Sequence, residues 1–386
     1  MHCLRIGLVF AVVSAGCYAD IDVFGNAPEP LELATGQYHS MALVEGGLVG
    51  WGSNRGGALG EPSAPVVAVP RVVDPGPWTE VHLGDGVSCA IDALRVVSCL
   101  GRGEFGQLAQ GNRRDRSAFI EVVLPGPVAQ LSTRYSHVCA IVEPNELWCW
   151  GRNEERQLAR ADELGFVDAL EPVRVAPQRD WIQVSVGQGH SCAIDTEGGL
   201  WCWGRNTQGQ AGAGAEINAD VARVAQRSDF IAVRAEQNHS CALSVEGQMW
   251  CFGENAFGEL GDGTTELRTS PVLAASGERF VDLELGTFNT CGRREDGVLR
   301  CWGMLEAGVL GTGLSSDPLT TEPITMNVEP PWTSLRLGRV HSCGRREDGS
   351  LWCSGVNDAS QLGVDIGEFS SVFQRVPGQF DRYFEP

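Results

Sequence analysis

Pairs of cysteines ten positions apart recur along the chain and constrain its fold more than any other feature. The pairs are Cys89/Cys99, Cys139/Cys149, Cys192/Cys202, Cys241/Cys251, Cys291/Cys301 and Cys343/Cys353. A copy without cysteines precedes them and has Met41 and Gly50 at the corresponding places. Counted from Met41 and then from each first cysteine, the copies lie 48, 50, 53, 49, 50 and 52 residues apart. Such a period is typical of propeller blades of about four strands. We therefore predict an all-β, seven-bladed propeller.

The same spacing predicts a β-hairpin inside each copy. If Cys192 faces Cys202 across antiparallel strands, residues 196–198 form a three-residue turn. The last residue of such a turn is left-handed, hence glycine or asparagine. The other copies have Asn145, Gly247, Gly297, Gly349 and, as an exception, Arg95 at this place, and the first copy is one residue shorter. Directly opposed residues lie within disulfide range, so we predict six cross-strand disulfides, one per cysteine pair.

Two further positions recur in the copies. An aromatic residue stands eleven positions before the cysteine at Trp78, Trp181, Phe230, Phe280 and Trp332. The residue after the position of Trp203 is glycine in all seven copies, at positions 52, 101, 151, 204, 253, 303 and 355. Glycine this regular predicts positive φ or a backbone approach too close for a β-carbon.

Charge and cysteine content limit the functions of the chain. The formal net charge is −20, whereas binding to nucleic acid or an anionic membrane surface requires a basic face. Two cysteines per copy are too few for a zinc site, and their spacing is too long for CxxC chemistry. We therefore predict structural disulfides in an oxidising compartment. The sequence contains no phosphate-binding loop and no metal-ligand cluster, so we predict neither cofactor nor metal.

The N-terminus has the features of an export sequence. Arg5 is followed by a short apolar run, and small residues precede Cys17. This resembles a bacterial lipoprotein leader, although Ser14 stands where that motif usually has an aliphatic residue. We predict a leader over residues 1–17 with cleavage before Cys17, lipidation of Cys17, a tether over residues 18–30 and a propeller over residues 31–386. Ordinary secretory cleavage nearby, which leaves Cys17 as a free thiol, is the alternative.

Residues 239–271, HSCALSVEGQMWCFGENAFGELGDGTTELRTSP, resemble the repeat of the regulator of chromosome condensation family. All seven copies fit the repeat in outline, and the leader suggests an exported bacterial member. The resemblance implies a seven-bladed propeller in which both chain ends join one blade. On this basis, residues 380–385 are expected to supply the strand that closes the ring.

Candidate catalytic groups are few. Five histidines, namely His39, His137, His190, His239 and His341, stand two positions before the first cysteine or its equivalent. We expect each to hydrogen-bond the backbone of its own blade, because buried polar groups are normally satisfied locally. The tryptophans, such as Trp148, Trp150, Trp201 and Trp203, are expected to be core rather than a sugar-binding platform. We predict no catalytic residue and no enzymatic activity.

The leading functional hypothesis is an exported or surface-anchored scaffold, monomeric, that binds a protein or surface glycan through its loops. It would contact the membrane only through a lipid anchor. The family name suggests guanine-nucleotide exchange on a small GTPase with chromatin docking, which export and acidity oppose. A secreted enzyme inhibitor or a polysaccharide-acting protein is a further alternative.

Overall fold

The computed structural model describes residues 32–44, 47–60, 64–159, 166–212, 214, 218–313, 317–326 and 332–377. They form seven four-stranded antiparallel sheets, which confirms the predicted seven-bladed propeller. Two three-residue 3-10 turns, Arg55–Gly57 and Glu306–Gly308, are the only helices among these residues. None of the described helices therefore has the length or apolar character needed to cross a bilayer.

Each blade uses four strands that are consecutive in the chain. The strands are, in blade 1, β1 (Leu33–Thr35), β2 (His39–Val44), β3 (Gly47–Ser53) and β4 (Val66–Asp74); in blade 2, β5 (Trp78–Leu83), β6 (Val87–Asp92), β7 (Val97–Gly101) and β8 (Arg116–Glu121); in blade 3, β9 (Val128–Thr133), β10 (His137–Val142), β11 (Glu146–Gly151) and β12 (Ala169–Arg174); in blade 4, β13 (Trp181–Val186), β14 (His190–Asp195), β15 (Leu200–Arg205) and β16 (Asn218–Arg223); in blade 5, β17 (Phe230–Ala235), β18 (His239–Ser244), β19 (Met249–Gly253) and β20 (Arg268–Leu273); in blade 6, β21 (Asp282–Gly286), β22 (Asn289–Arg293), β23 (Leu299–Met304) and β24 (Leu319–Thr325); and in blade 7, β25 (Trp332–Leu337), β26 (His341–Arg346), β27 (Leu351–Val356) and β28 (Phe369–Arg375).

The first strand of every blade lines a central channel, and the fourth strand lies at the rim. Connections between the first and second strands and between the third and fourth strands lie on one side, which we call the loop face. The second-to-third strand hairpins lie on the other side, the hairpin face. Strand β1 contacts β25 and β26 of blade 7, so the ring is closed. The first copy itself provides β1, and the closing strand predicted at residues 380–385 lies outside the described residues.

The six predicted cross-strand disulfides are present, one in each of blades 2 to 7. In every pair the two cysteines are directly opposed on the second and third strands, and their Cα atoms lie 4.1 Å apart. The sulfur atoms are joined at S–S distances of 2.07 to 2.15 Å. The bonds are Cys89–Cys99, Cys139–Cys149, Cys192–Cys202, Cys241–Cys251, Cys291–Cys301 and Cys343–Cys353. The ten-residue spacing therefore predicted the hairpin register correctly in each of these blades.

Of the six hairpin turns that the structure describes in full, those of blades 2 and 4 to 7 agree with the prediction and that of blade 3 does not. Gly198 ends its turn at φ +78°, and Arg95, the exception in the sequence, is left-handed at φ 64°. The expectation for Asn145 is wrong, because this residue is not left-handed in a turn that contains a cis Glu143–Pro144 bond. The first hairpin is described only up to Val44, which pairs with Gly47.

The invariant glycine of each copy meets both conditions predicted for it. Gly204 has φ +93°, and a β-carbon on it would lie 2.6 Å from the carbonyl oxygen of Gly189. The other six members have φ between +98° and +114° and face the equivalent carbonyl of their own blade. A side chain here would separate the second and third strands, so glycine is required in every blade.

Large apolar side chains fill the space between blades. The indole of Trp203 is fully buried, and its Nε1 donates to the carbonyl oxygen of Gln157 in the preceding blade at 2.8 Å. Trp150 is equally buried, as predicted. Trp148 and Trp201, in contrast, are only half-buried, and the guanidinium of Arg179 lies 3.5 Å from the ring centroid of Trp201. These outer tryptophans lie at the edge of the core, where the ring of Trp201 makes a cation–π contact.

Candidate functional site: the central channel and the loop face

The recurrent histidine of the repeat joins neighbouring blades. His190 Nε2 lies 2.8 Å from Ser240 Oγ, which belongs to the next blade. The same contact joins His39 to Ser88, His137 to Ser191, His239 to Thr290 and, across the ring closure, His341 to Ser40. The expectation that each histidine bonds the backbone of its own blade is therefore wrong. Histidine and serine are adjacent on one strand and point to opposite faces, so each blade offers a histidine to one neighbour and a hydroxyl to the other.

Hydrogen-bond direction fixes the state of these histidines. Ser240 Oγ donates to the carbonyl oxygen of Gln210 at 2.9 Å, so its hydroxyl hydrogen is already used. His190 must then donate through Nε2, which leaves Nδ1 unprotonated in a neutral ring. Burial lowers the pKa of His190 to about 3, with smaller contributions from His137, His239 and Arg205. The ring of histidines is thus uncharged at neutral pH and is suited to structure rather than to proton transfer.

The two breaks in this ring follow from the sequence. Blade 2 has Val87 in place of histidine, and the neighbouring blade 3 has Val138 in place of serine. Blade 6 has Asn289, whose side-chain amide donates to the carbonyl oxygen of Met304 in its own blade. Loss of the histidine in blade 2 is therefore matched by loss of its hydroxyl partner in blade 3. This matched pair of departures was visible in the sequence and could have revealed the contact between blades.

On the loop face, a repeated asparagine anchors the connection between the third and fourth strands. Asn255 Oδ1 accepts the N–H of Leu260 at 2.9 Å, while Nδ2 donates to the carbonyl oxygen of Glu266 at 3.1 Å. The same acceptor contact, at 2.7 to 3.0 Å, is made by Asn54, Asn153, Asn206 and Asn357. One side chain thus ties both ends of a loop whose remaining sequence differs between blades.

Charge is unevenly distributed over the loop face. The third-to-fourth strand connections of blades 6 and 7, residues 305–318 and 357–368, contain no lysine or arginine, whereas Arg339 lies in the first-to-second strand connection of blade 7. Their exposed acidic residues include Glu306, Asp358, Asp365 and Glu368. Blade 2 differs, because residues 102–115 contain three arginines, of which Arg113 bonds to Asp168 of the next blade at 2.7 Å. The corresponding connections of blades 4 and 5, residues 206–217 and 254–267, also lack basic residues, but Arg268 pairs with Asp262 and Glu266 in blade 5. We call the connections of the last two blades the acidic sector of blades 6 and 7.

Polar side chains of one inner strand satisfy the backbone of the next around the channel. Gln130 Oε1 accepts the N–H of Val184 at 2.7 Å, and Ser132 Oγ accepts that of Val186 at 3.1 Å. Glu32 plays this part in blade 1 by accepting the N–H of Val81 at 2.9 Å. The open edges of the inner strands would otherwise leave backbone donors unpaired.

An ion pair crosses the channel near the loop face. Arg134 of blade 3 bonds through Nε to the carboxylate of Glu236 in blade 5. Its Nη2 also donates to the carbonyl oxygens of Leu285 in blade 6 and Leu337 in blade 7. Tyr135 donates its hydroxyl to Glu236 Oε1 at 2.8 Å. A single guanidinium therefore connects four blades across the axis.

Electrostatics in this cluster follow from burial and pairing. Burial raises the pKa of the Glu236 carboxyl, against the opposing effects of Arg134 and the Tyr135 hydroxyl. Burial and the neighbouring Glu236 raise the pKa of Tyr135 well above its usual value. In the other five blades the position of Arg134 and Glu236 is a glycine, namely Gly36, Gly84, Gly187, Gly286 and Gly338. The sequence thus showed that both residues depart from the repeat, but it did not show that they are in contact.

At the other end of the channel, Glu32 and Glu80 line the wall. Burial raises the pKa of Glu32 to about 7, with Glu80 acting in the same direction and His82 and Arg336 opposing. Glu80 instead has a lowered pKa, because hydrogen bonds and charge from His82 and Arg95 outweigh its burial. The residues around the channel enclose a cavity of about 350 Å³.

The paired cysteines take no part in either surface. All twelve lie inside blades, away from the channel and from the loop connections, so their bonds hold the second and third strands together. Cys17 and the leader lie outside the described residues, and their assignment stays a prediction. Among the described residues, no three histidine, cysteine or acidic side chains are grouped closely enough to hold a metal ion.

The fold and its repeated anchors define a seven-bladed propeller of four-stranded antiparallel blades. Two models of the regulator of chromosome condensation (RCC1) repeat match this chain, one over residues 181–210 and 237–259 and the other over residues 145–194. These matches confirm the resemblance for segments of blades 3 to 5.

Among curated proteins, the ultraviolet-B receptor UVR8 of Arabidopsis thaliana is 26% identical over 341 residues. The match covers 86% of this chain and 54% of the receptor, so the chain spans about half the length of that relative. Among solved structures, Prp20p of Saccharomyces cerevisiae has a TM-score of 0.76 at 19% identity, covering 92% of this chain and 87% of Prp20p. Human WBSCR16 has a TM-score of 0.74 at 19% identity, with coverages of 85% and 93%. At such identities the structural likeness shows the fold alone.

Proposed function

We propose that this protein is a non-enzymatic binding scaffold that recognises a protein partner through its loop face. The observation that carries the proposal is the asparagine anchor, which makes the same backbone contact at the start of loops of different sequence in five blades. A loop whose ends are already fixed loses less conformational entropy when it binds, so it suits a recognition surface.

The comparisons support protein binding in general terms. Prp20p, which has the same fold, has binding properties toward Gsp1p and histones. For the present chain, the acidic sector of blades 6 and 7 favours a partner with a basic surface, because complementary charge accelerates encounter and selects orientation. A surface glycan and a small GTPase are the competing partners.

We further propose that the scaffold works outside the cytoplasm, as a monomer. The six disulfides support this location, because reducing compartments disfavour structural disulfides in most organisms. The net charge of −20 supports a soluble surface that avoids nucleic acid.

The test is a charge reversal on one face with a matched reversal on the other. The full chain carrying Asp365→Lys and Glu368→Lys should lose partners that wild type captures from an envelope fraction. The control carries Glu197→Lys and Glu347→Lys, two exposed positions in hairpin turns. Loss of partners only in the control would refute use of the loop face, and stimulation of nucleotide release from a small GTPase would favour the exchange hypothesis.

A further inference from the structure

Polar side chains on the channel wall formed by blades 3 and 4 have hydrogen-bond donors left over for a ligand. Gln130 and Gln183 use Oε1 to accept the backbone N–H groups of Val184 and Val233, at 2.7 and 2.5 Å. Because an N–H must meet the oxygen, these contacts fix the orientation of both amides. The two Nε2 groups are therefore left to face the channel.

Two serines, each two residues after one of these glutamines, also accept backbone N–H groups of the next blade. Ser132 Oγ and Ser185 Oγ accept the N–H groups of Val186 and Ala235 at 3.1 and 2.9 Å. Their hydroxyl hydrogens therefore remain for a group in the channel. Arg234, on the adjacent blade 5, extends this donor wall with a guanidinium. Donors of this kind recognise oxyanions such as carboxylates.

The opposite wall is of mixed charge, because it carries the carboxylates of Glu32, Glu80 and Glu284 with His82 and Arg336 among them. Glu284 of blade 6 lies 3.8 Å from Arg234 through its Oε2, and its Oε1 is 3.4 Å from the N–H of Leu337. Glu32 and Glu80 stand on the same cavity lining in blades 1 and 2. A simple anion held by the donor wall would therefore face carboxylates, and a simple cation would face guanidinium groups.

We propose that the channel binds a small zwitterion, with a carboxylate on the donor wall and an ammonium group at Glu284. The Arg134–Glu236 ion pair forms the floor of this site, so the ligand enters from the hairpin face. The cavity of about 350 Å³ lies at the lower end of the range for small-molecule sites, which runs from roughly 300 to 1,000 Å³. This site is separate from the loop face and does not depend on the proposed protein partner.

The ligand test uses the full oxidised chain and isothermal titration calorimetry. The probes are glycine, β-alanine and γ-aminobutyrate, which separate the two charges by increasing lengths, with butyrate and butylammonium as singly charged controls. Saturable binding of at least one amino acid, tighter than both controls, is expected. No saturable binding by any of the three, or equal binding of butyrate, would overturn the proposal.

A variant of the donor wall provides the matched comparison. Gln183→Glu keeps an oxygen for the Val233 N–H, as Glu32 does in blade 1, but replaces the donor by an acceptor. Loss of a hydrogen bond to a charged group should lower affinity roughly ten- to hundredfold. Gln188→Glu makes the same change outside the cavity lining and should leave affinity unchanged. Equal effects of both substitutions would refute the assigned wall.

A second variant tests the opposite wall, and its result can be interpreted even if the Gln183→Glu variant does not fold. Glu284→Gln removes the carboxylate proposed to hold the ammonium group. It should weaken binding of the amino acid about tenfold and strengthen binding of butyrate. Parallel changes for both probes would show that Glu284 acts on the fold rather than on the ligand. Circular dichroism of each variant establishes that the propeller is intact.

Discussion

Replacing Glu259 by glutamine should stabilise the protein in a pH-dependent way. Glu259 is fully buried in the third-to-fourth strand connection of blade 5, where Oε2 accepts the N–H of Phe257 at 2.8 Å. Among the described residues, Oε1 has no hydrogen-bond partner. Four other copies have glutamine at this position and make the same contact through Oε1, namely Gln107, Gln157, Gln210 and Gln361. The carboxylate is therefore an exception within the chain's own repeat.

The magnitude follows from the pKa of Glu259, which burial raises from 4.5 to about 7. Each pKa unit corresponds to about 1.36 kcal/mol, so ionising this group costs the folded state about 3 kcal/mol. The folded state binds the proton more tightly, so the free energy of unfolding falls as pH rises from 4.5 to 7. Glu259→Gln should thus raise stability by about 3 kcal/mol at pH 8 and by little at pH 4.

Urea denaturation followed by tryptophan fluorescence, at both pH values, measures this difference. The matched control is the reverse change Gln361→Glu in blade 7. Gln361 Nε2 donates to Asp358 Oδ1 at 3.1 Å, so a carboxylate there should destabilise the protein at high pH. A gain from Glu259→Gln that is equal at the two pH values would refute the electrostatic explanation, because packing alone does not titrate.

Three further outcomes are expected. As pH falls below 6.5, the free energy of unfolding should decrease until pH reaches the folded-state pKa of His190, about 3. His190→Asn, which introduces the residue found at Asn289 in blade 6, should reduce the slope of unfolding free energy against pH by one proton, or about 1.36 kcal/mol per pH unit. An unchanged slope would contradict buried neutral histidines. Met41→Cys with Gly50→Cys should form a seventh disulfide, because these residues pair as the cysteines do; two free thiols in peptide mass mapping would contradict this. Cys17 should carry lipid, and detergent partitioning unaffected by Cys17→Ser would exclude an anchor.

The sequence was sufficient for the fold because the repeat constrains it many times over. A ten-residue spacing between cysteines determined the hairpin register, and regular glycines marked where strands approach one another. The turn at Asn145 was not predictable in this way, because its proline changes the local geometry without changing the spacing. The partners of the histidines were missed for another reason. Buried polar groups usually find a hydrogen-bond partner close by in the sequence. In a closed ring of blades, however, the neighbouring blade lies as near to each histidine as the backbone of its own blade.

The ion pair in the channel is the feature that the repeat pattern could not predict. Five blades have glycine at the innermost position of the loop face, and only blades 3 and 5 carry Arg134 and Glu236. Either residue alone would be a buried charge without compensation, which is strongly destabilising, whereas together they form a hydrogen-bonded pair. The pair spans 102 positions of sequence, so no local pattern predicts it. Because Arg134 also bonds to the carbonyl oxygens of Leu285 and Leu337, these two departures place an ion pair across one end of the channel. The positions at which one blade departs from the repeat are therefore the best candidates for functions specific to this protein.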